Sequence, residues 1–200
     1  MIELNSVYEN TLKILLIGDS CVGKSNFVYR FINNDYNGNH LSTSGFEIKN
    51  AEISLNGKKY RLQLYDTAGQ KKFESVTKTL FSQSQGFIVM FDITNEESYI
   101  SAKSWIKIIQ EENENGKYAP ILLIGNKNDL ENMRMISQKE ILKYAEEEKI
   151  KYIETSSKTG NNINKAIHLI GKEVSELDNK NNSFSLNSSH LLFKKKKTCC

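Results

Sequence analysis

The sequence predicts an α/β protein: a mixed, mostly parallel six-stranded sheet with helices on both faces. Three observations lead there. Short apolar runs alternate with segments of helical spacing, the order that builds a parallel sheet. Two of the runs, Phe87–Phe91 and Ile121–Ile124, are apolar throughout, as strands covered on both faces should be. A glycine-bounded polar loop, "GDSCVGKS" at 18–25, follows the first run and precedes the first helical segment.

In chain order, Leu12–Ile17 is the first candidate strand, stopped by Gly18. Asn26–Asn33 then sets Phe27, Val28, Phe31 and Ile32 along one helical side. Ala51–Leu55 and Lys59–Tyr65 alternate polar and apolar residues around Asn56-Gly57, a hairpin signal that makes one antiparallel edge. Phe87–Phe91 follows, then a helix over Glu96–Glu114 with Tyr99, Ile106 and Ile109 on its stripe and Trp105 beside it. Pro120, the only proline, sits just before strand Ile121–Ile124, where its missing N–H costs least. Ser137 with Glu140 three positions on forms a capping box for a helix to Glu148. Tyr152–Glu154 is a short last strand, and Ile163, Ile167, Ile170 and Leu177 mark the last helix.

These elements divide the chain into an N-terminal extension at 1–10, one domain at 11–177 and a tail at 178–200. The 200 residues suffice for a single core. The tail is polar, rich in Asn and Ser, and aperiodic, so it is expected to be a flexible tether of roughly 25 Å reach. No apolar run approaches the roughly 20 residues that span a bilayer. The start lacks a secretory pattern, and three cysteines build no disulfide framework, so a reducing cytosolic setting is expected. Net charge is +3, but Lys194–Lys197 supply four positive charges, leaving the rest near neutrality. A nucleic-acid binder would carry a broad basic face instead. The basic tip suits an anionic surface.

Gly18–Ser25 fits G-x-x-x-x-G-K-[ST], the phosphate-binding loop, in its strand–loop–helix context. Backbone N–H groups of Ser20, Cys21, Val22, Gly23 and Asn26 can turn toward phosphate oxygens there. The helix N-terminus adds partial positive charge. Lys24 reaches the β- and γ-phosphates and Ser25 ligates Mg²⁺. Cys21 also reads as a redox-sensitive thiol or simply a small loop side chain. Three further motifs follow, each at a strand end. "YDTAGQ" at 65–70 places Asp66 to hold Mg²⁺ through water and Gly69 to turn its N–H to the γ-phosphate. "NKND" at 126–129 offers Asn126, Lys127 along a base, and Asp129, which accepts from both N–H donors of guanine's edge; Leu130 follows. "ETSSK" at 154–158 supplies Ser156, Ser157 and Lys158, whose backbone faces guanine O6. Ligands are expected at the carboxyl ends of such strands.

Residues 11–177 resemble a Ras-superfamily small GTPase, a P-loop GTPase domain, and the whole chain resembles its Rab branch. The likeness rests on GDSCVGKS, the threonine of "STSGFE", YDTAGQ, NKND, ETSSK and the final Cys199-Cys200. It implies a GDP/GTP switch that hydrolyses GTP slowly, with Mg²⁺, and recruits effectors to membranes in vesicle trafficking. Thr43 matches the switch threonine that joins the Mg²⁺ shell only when the γ-phosphate is present. Gln70 matches the residue orienting the attacking water, so Gln70, Lys24 and Thr43 form the implied catalytic set. Tyr36 falls where an aromatic ring packs on guanine. His40 falls where the family often closes a tyrosine over the phosphates; a solvated loop histidine accounts for it equally. An exchange factor, a GTPase-activating protein and effectors are implied at the switch regions, the activating protein supplying charge worth on the order of 10³–10⁵ in rate. Cys199 and Cys200 resemble a double prenylation site. That implies prenylation machinery, a GDP-dissociation inhibitor, a monomer, and the cytoplasmic face of an intracellular membrane in exchange with cytosol.

The chain also departs from the Rab pattern. Ile48, Tyr65 and Leu80 stand where an aromatic trio is common, Thr43-Ser44-Gly45 replaces the usual Thr-Ile-Gly, and Lys71-Lys72 replaces Glu-Arg. Altered effector and exchange-factor recognition is expected. Two rival functions are a guanine-binding module without turnover, opposed by Gln70, Thr43 and Lys24, and a metabolic P-loop kinase, opposed by NKND.

Overall fold

The computed structural model describes residue 8, residues 10–36, residue 38, and residues 45–69, 79–114 and 119–194, the last stretch by backbone alone from 180. Strands β1 (Thr11–Ile17), β2 (Phe46–Leu55), β3 (Lys58–Thr67), β4 (Gly86–Asp92), β5 (Ile121–Asn126) and β6 (Lys151–Glu154) form one sheet in the order β2-β3-β1-β4-β5-β6. Helices are α1 (Lys24–Asn33), α2 (Glu96–Glu114), α3 (Gln138–Glu147) and α4 (Ile163–Lys194), with a 3₁₀ helix over Asn128–Met133. The β2–β3 pair is antiparallel and all other pairs are parallel. The mixed, mostly parallel six-stranded sheet is therefore as expected.

Its order has a functional consequence. From β1 the chain pairs with β3 on one side and with β4 on the other. The loops leaving β1 and its neighbours diverge at that reversal and open a crevice outside their carboxyl ends.

Two apolar layers cover the sheet. On one face α1 and α4 bring Phe27, Val28, Ile163, Ile167, Ile170 and Val174 onto Leu12, Ile14, Leu16, Ile88 and Leu122. On the other, α2 and α3 bring Tyr99, Ile106, Ile109 and Ile141 onto Leu15, Ile17, Val89, Phe91 and Leu123. Odd and even positions of β1 thus serve opposite layers, as period-2 geometry requires. Every residue of β4 and β5 is buried, which explains their unbroken apolar runs.

Local signals hold in detail. Asn56 and Gly57 both adopt positive φ (50° and 78°) between Leu55 and its partner Lys58, the two-residue turn the dipeptide favours. The Ser137 hydroxyl accepts from the Glu140 N–H and caps α3. Pro120 precedes β5 and its carbonyl accepts from the Phe87 N–H.

Two boundaries differ from expectation. β2 begins at Phe46, five residues before the alternating stretch at Ala51, because Phe46–Asn50 are all exposed on an edge strand and carry no alternation. The backbone at 178–194, expected as a flexible tail, continues α4 as helix. Neither glycine nor proline occurs from Lys172 onward, and extending an existing helix needs no new nucleus. Asn and Ser lower helix propensity by only fractions of a kcal/mol each. Seventeen helical residues span about 25 Å, so the reach resembles that of the coil but is directional. Asn10 and Asp178, at the two expected domain boundaries, are hydrogen-bonded to each other.

Ile170 is fully buried between α4 and the sheet. Ile170→Ala should lower unfolding free energy by about 2–5 kcal/mol, read from the denaturant midpoint at unchanged slope.

Candidate functional site

A cavity of about 450 Å³ opens outside the carboxyl ends of β1, β3, β5 and β6. Five separate chain segments line it. Ser20, Cys21, Gly23, Lys24, Ser25 and Asn26 come from the glycine loop and the first turn of α1. Thr67 and Gly69 follow β3. Asn126, Lys127, Asp129 and Leu130 follow β5, and Ser157 and Lys158 follow β6. Tyr36 and Gly38 close the rim. Most residues expected at a nucleotide site are thus brought together from across 139 positions of sequence.

The glycine loop is built to receive an anion. Gly23 sits at φ 100° as the N-cap of α1, and that helix has no side-chain cap and no acidic residue in its first turn. No side-chain cap thus competes at this end of the helix, whose first residues line the cavity, and a helix N-terminus favours a bound anion. A Cβ on Gly23 would lie 2.4 Å from Asn126 Nδ2, so no other residue fits there. Lys24 lies buried at the floor. Its Nζ donates to the Gly18 carbonyl at 2.7 Å and the Asp19 carbonyl at 2.9 Å. Burial lowers its pKa to about 8, against the opposing attraction of Asp66 and then Asp19.

The segment after β3 touches the same loop. Asp66 is buried beside Lys24. The Thr67 hydroxyl donates to the Leu16 carbonyl of β1 at 2.7 Å, pinning the end of β3 to the start of the glycine loop. At Gly69 an added Cβ would lie 2.2–2.4 Å from the backbone of Asp19 and Ser20. The two phosphate-side loops are therefore in backbone contact.

On the opposite wall a polar network fixes the base-side residues. Asn126 Nδ2 donates to the Val22 carbonyl at 2.8 Å. Its Oδ1 accepts from Thr155 Oγ1 at 3.1 Å and from the Ser157 N–H and hydroxyl at 3.2 and 3.3 Å. Val22 and Ser156, both expected at the ligand, do not line the cavity; they hold residues that do. The Ser156 hydroxyl donates to Asp129 Oδ1 at 2.5 Å, orienting that carboxylate. Lys127 pairs with Asp92 Oδ2 at 2.6 Å, while Asp92 Oδ1 accepts from the Thr94 N–H and hydroxyl. Sequence reading missed Asp92. Its signal was an acid closing a strand that is otherwise apolar, "FIVMFD", and no local pattern says what it faces.

The donor set also fits a hard cation. Ser25 and Asp66 offer a hydroxyl and a carboxylate, oxygen ligands of the kind Mg²⁺ accepts when phosphates complete its shell. Among the described residues, no group of three or more His, Cys, Asp and Glu side chains could hold a metal without such help. His40, Thr43, Gln70, Lys71, Lys72, Cys199 and Cys200 lie outside the described residues. Of the three positions where an aromatic trio is common, Ile48 is 46% exposed, whereas Tyr65 and Leu80 are each 4% exposed and belong to the core. Phe46, 40% exposed, stands two residues before Ile48 on the same side of β2.

Comparison with known proteins agrees with this geometry. The family model described as the Ras family matches residues 13–176. The Ras-related protein Rab-13 of Canis lupus familiaris is 36% identical over 167 residues, covering 84% of this chain and 81% of that relative. The Ras-related protein SEC4 of Saccharomyces cerevisiae is 37% identical over 169 residues, 84% of this chain and 77% of that relative. The Ras-related protein Rab-27B of Bos taurus is 36% identical over 173 residues, 82% and 79% respectively.

The lowered Lys24 pKa gives a proton-coupled binding signal. Phosphate beside the ammonium raises its pKa again, so GDP binding above pH 8 should take up a proton. At pH 8.5 calorimetry in buffers of different ionisation enthalpy should show uptake of about half a proton or more. Affinity should fall as pH rises through 8, and Lys24→Met should abolish the uptake.

Proposed function

Because the chain belongs to the Ras family and is a Rab-like GTP hydrolase of vesicle trafficking, we propose that the described cavity is its magnesium-dependent GDP/GTP site. The observation that carries the reading is the convergence of four motif segments on one cavity with a charge gradient along it. Lys24 and the uncapped α1 N-terminus stand at one end, and Asp129, oriented by Ser156, stands at the other. A guanine nucleotide has the matching polarity: polyanion at one end, N–H donors at the other.

The chain's own groups divide the work. Lys24, held by two carbonyls, would set positive charge against the negative charge that develops at the β–γ bridge. Ser25, Asp66 and Thr43 would hold Mg²⁺, which when bound neutralises phosphate charge and polarises the γ-phosphoryl group. Gln70 orients the attacking water, and Gly69, already against the glycine loop, turns its N–H to the γ-phosphate. Asp129 accepts from the guanine edge, Lys127 and Tyr36 pack on the base, and Ser157 and Lys158 present backbone N–H groups to O6. Loss of the γ-phosphate removes the partner of Thr43 and Gly69 together, so partners that read 44–47 and 71–80 bind one state only. Exchange factors, activating proteins and effectors act there, on an exposed apolar surface that includes Phe46 and Ile48.

The domain at 11–177 carries this switch, and 178–200 attaches it to membrane. Among the described residues no helix is long and apolar enough to cross a bilayer. Prenyl groups on Cys199 and Cys200 would supply the anchor, since one chain binds only marginally and two signals are required. Lys194–Lys197 would add roughly 1 kcal/mol each at an anionic leaflet. A GDP-dissociation inhibitor that shields two prenyl chains fits cycling of a monomer between the cytoplasmic face and cytosol.

Two measurements test the proposal. Fluorescent GDP should be displaced by GDP but not by equimolar ADP, and single-turnover GTP hydrolysis should slow at least tenfold in Gln70→Leu; equal rates would indicate a binding module without turnover. After prenylation, wild type should sediment with phosphatidylserine vesicles and Cys199→Ser/Cys200→Ser should not. Equal sedimentation would refute the anchor.

A further inference from the structure

Arg30 belongs to none of the motifs. It lies on α1, one and a half turns beyond Ser25, and faces the loop after β6. Its guanidinium donates to three backbone carbonyls: Nε to Ser157 at 3.0 Å, Nη2 to Lys158, and Nη1 to Asn34 at 3.1 Å. Two of those carbonyls belong to the loop that lines the base end of the cavity.

The geometry of the peptide unit turns this contact into a constraint on the ligand side. In a trans peptide the C=O and the next N–H point in opposite directions. No cis peptide occurs among the described residues. Anchoring the Ser157 carbonyl on Arg30 therefore aims the Lys158 N–H the other way. Anchoring the Lys158 carbonyl likewise fixes the Thr159 N–H, which donates to the Ser156 hydroxyl at 3.0 Å. Ser156 in turn donates to Asp129 at 2.5 Å. A continuous chain of hydrogen bonds runs from Arg30 through Lys158, Thr159 and Ser156 to the carboxylate at the base end. Arg is suited to this and Lys is not, because a planar fork of donors can hold several acceptors in fixed directions.

We propose that Arg30 is a positioning residue for base selection: it holds the loop at 156–159 so that Asp129 meets both N–H donors of a guanine edge. The inference rests on the cavity being the guanine-nucleotide site. Inosine diphosphate provides the test, because hypoxanthine lacks the 2-amino group and keeps only one donor for Asp129. If Asp129 loses its orientation, GDP loses more than inosine diphosphate does, and the ratio of their affinities narrows. General loosening of the fold would weaken both equally.

Competition against fluorescent GDP should show wild type preferring GDP over inosine diphosphate by roughly tenfold or more, the scale of a hydrogen bond to a charged group. In Arg30→Ala that preference should shrink at least threefold, GDP should dissociate about tenfold faster, and the Lys158 and Thr159 amides should lose hydrogen-exchange protection. Arg30→Lys keeps the charge and the apolar stem, so it remains informative if the alanine variant does not fold; it should show the same narrowing in smaller degree. An unchanged preference in a folded variant of either kind overturns the role of Arg30. A wild type indifferent to the base overturns the site reading itself, which separates the two failures.

Discussion

Everything at this site depends on one buried side-chain amide. Asn126 is almost fully enclosed, and its two ends grip different loops. The nitrogen holds the Val22 carbonyl of the glycine loop, and the oxygen holds Thr155 and Ser157 of the loop after β6. These segments are more than a hundred residues apart in sequence, and no strand pairs them directly. An amide is suited because it presents a donor and an acceptor in one rigid plane. A carboxylate would set a charge against the Val22 carbonyl, and an alanine would strand buried groups at about 1–3 kcal/mol each. Gly23 follows from the same constraint: its missing Cβ is the space Asn126 occupies. Together these bonds fix the spacing between the glycine-loop end and the β6-loop end of the cavity.

The two ends then acquire opposite electrostatic character from their surroundings. At the phosphate end a buried ammonium is kept from water, and its lowered pKa shows that two carbonyls and a nearby carboxylate do not replace full hydration. That deficit favours an anion: a phosphate restores to Lys24 what burial removed. At the base end Asp129 and Asp92 are each tied by hydroxyl or ammonium partners and so remain acceptors of fixed direction. Recognition by backbone N–H groups and oriented acceptors needs few side chains. Cores tolerate substitution at conserved volume and pattern, whereas a backbone cradle with glycine at its closest approaches does not.

Sequence reading reached the strand–helix alternation, the layered core and the cavity lining because those are written in local period and in motifs whose residues line one cavity. It stopped where partners are tertiary. Asp92 and Arg30 have no local pattern; each matters through what faces it from another element, Lys127 for one and the carbonyls of Ser157 and Lys158 for the other. Val22 and Ser156 show the same limit: the Val22 carbonyl holds Asn126 and the Ser156 hydroxyl holds Asp129, and a motif records that a residue is required and not which neighbour requires it. The start of β2 was hidden for a different reason. An edge strand exposed on both faces from Phe46 to Asn50 has no buried set to create alternation.

That exposed stretch differs from the residues it packs beside in what a substitution would disturb. Ile48 pairs in register with Tyr65, and Tyr65 and Leu80 are packed into the layer beneath α2. Leu80 therefore contributes to core volume and little to the surface. Ile48 and Phe46 contribute apolar area to the surface and little to the core. A substitution at Tyr65 or Leu80 therefore costs core packing, whereas one at Phe46 or Ile48 costs little, and Asn126 and Gly23 are held by packing against each other. The base loop sits on the far side of β1 from this edge strand, with β4 and β5 between. The exposed apolar edge and the Asn126 network are thus separated by the width of the sheet, so a substitution at one is expected to leave the packing of the other unchanged.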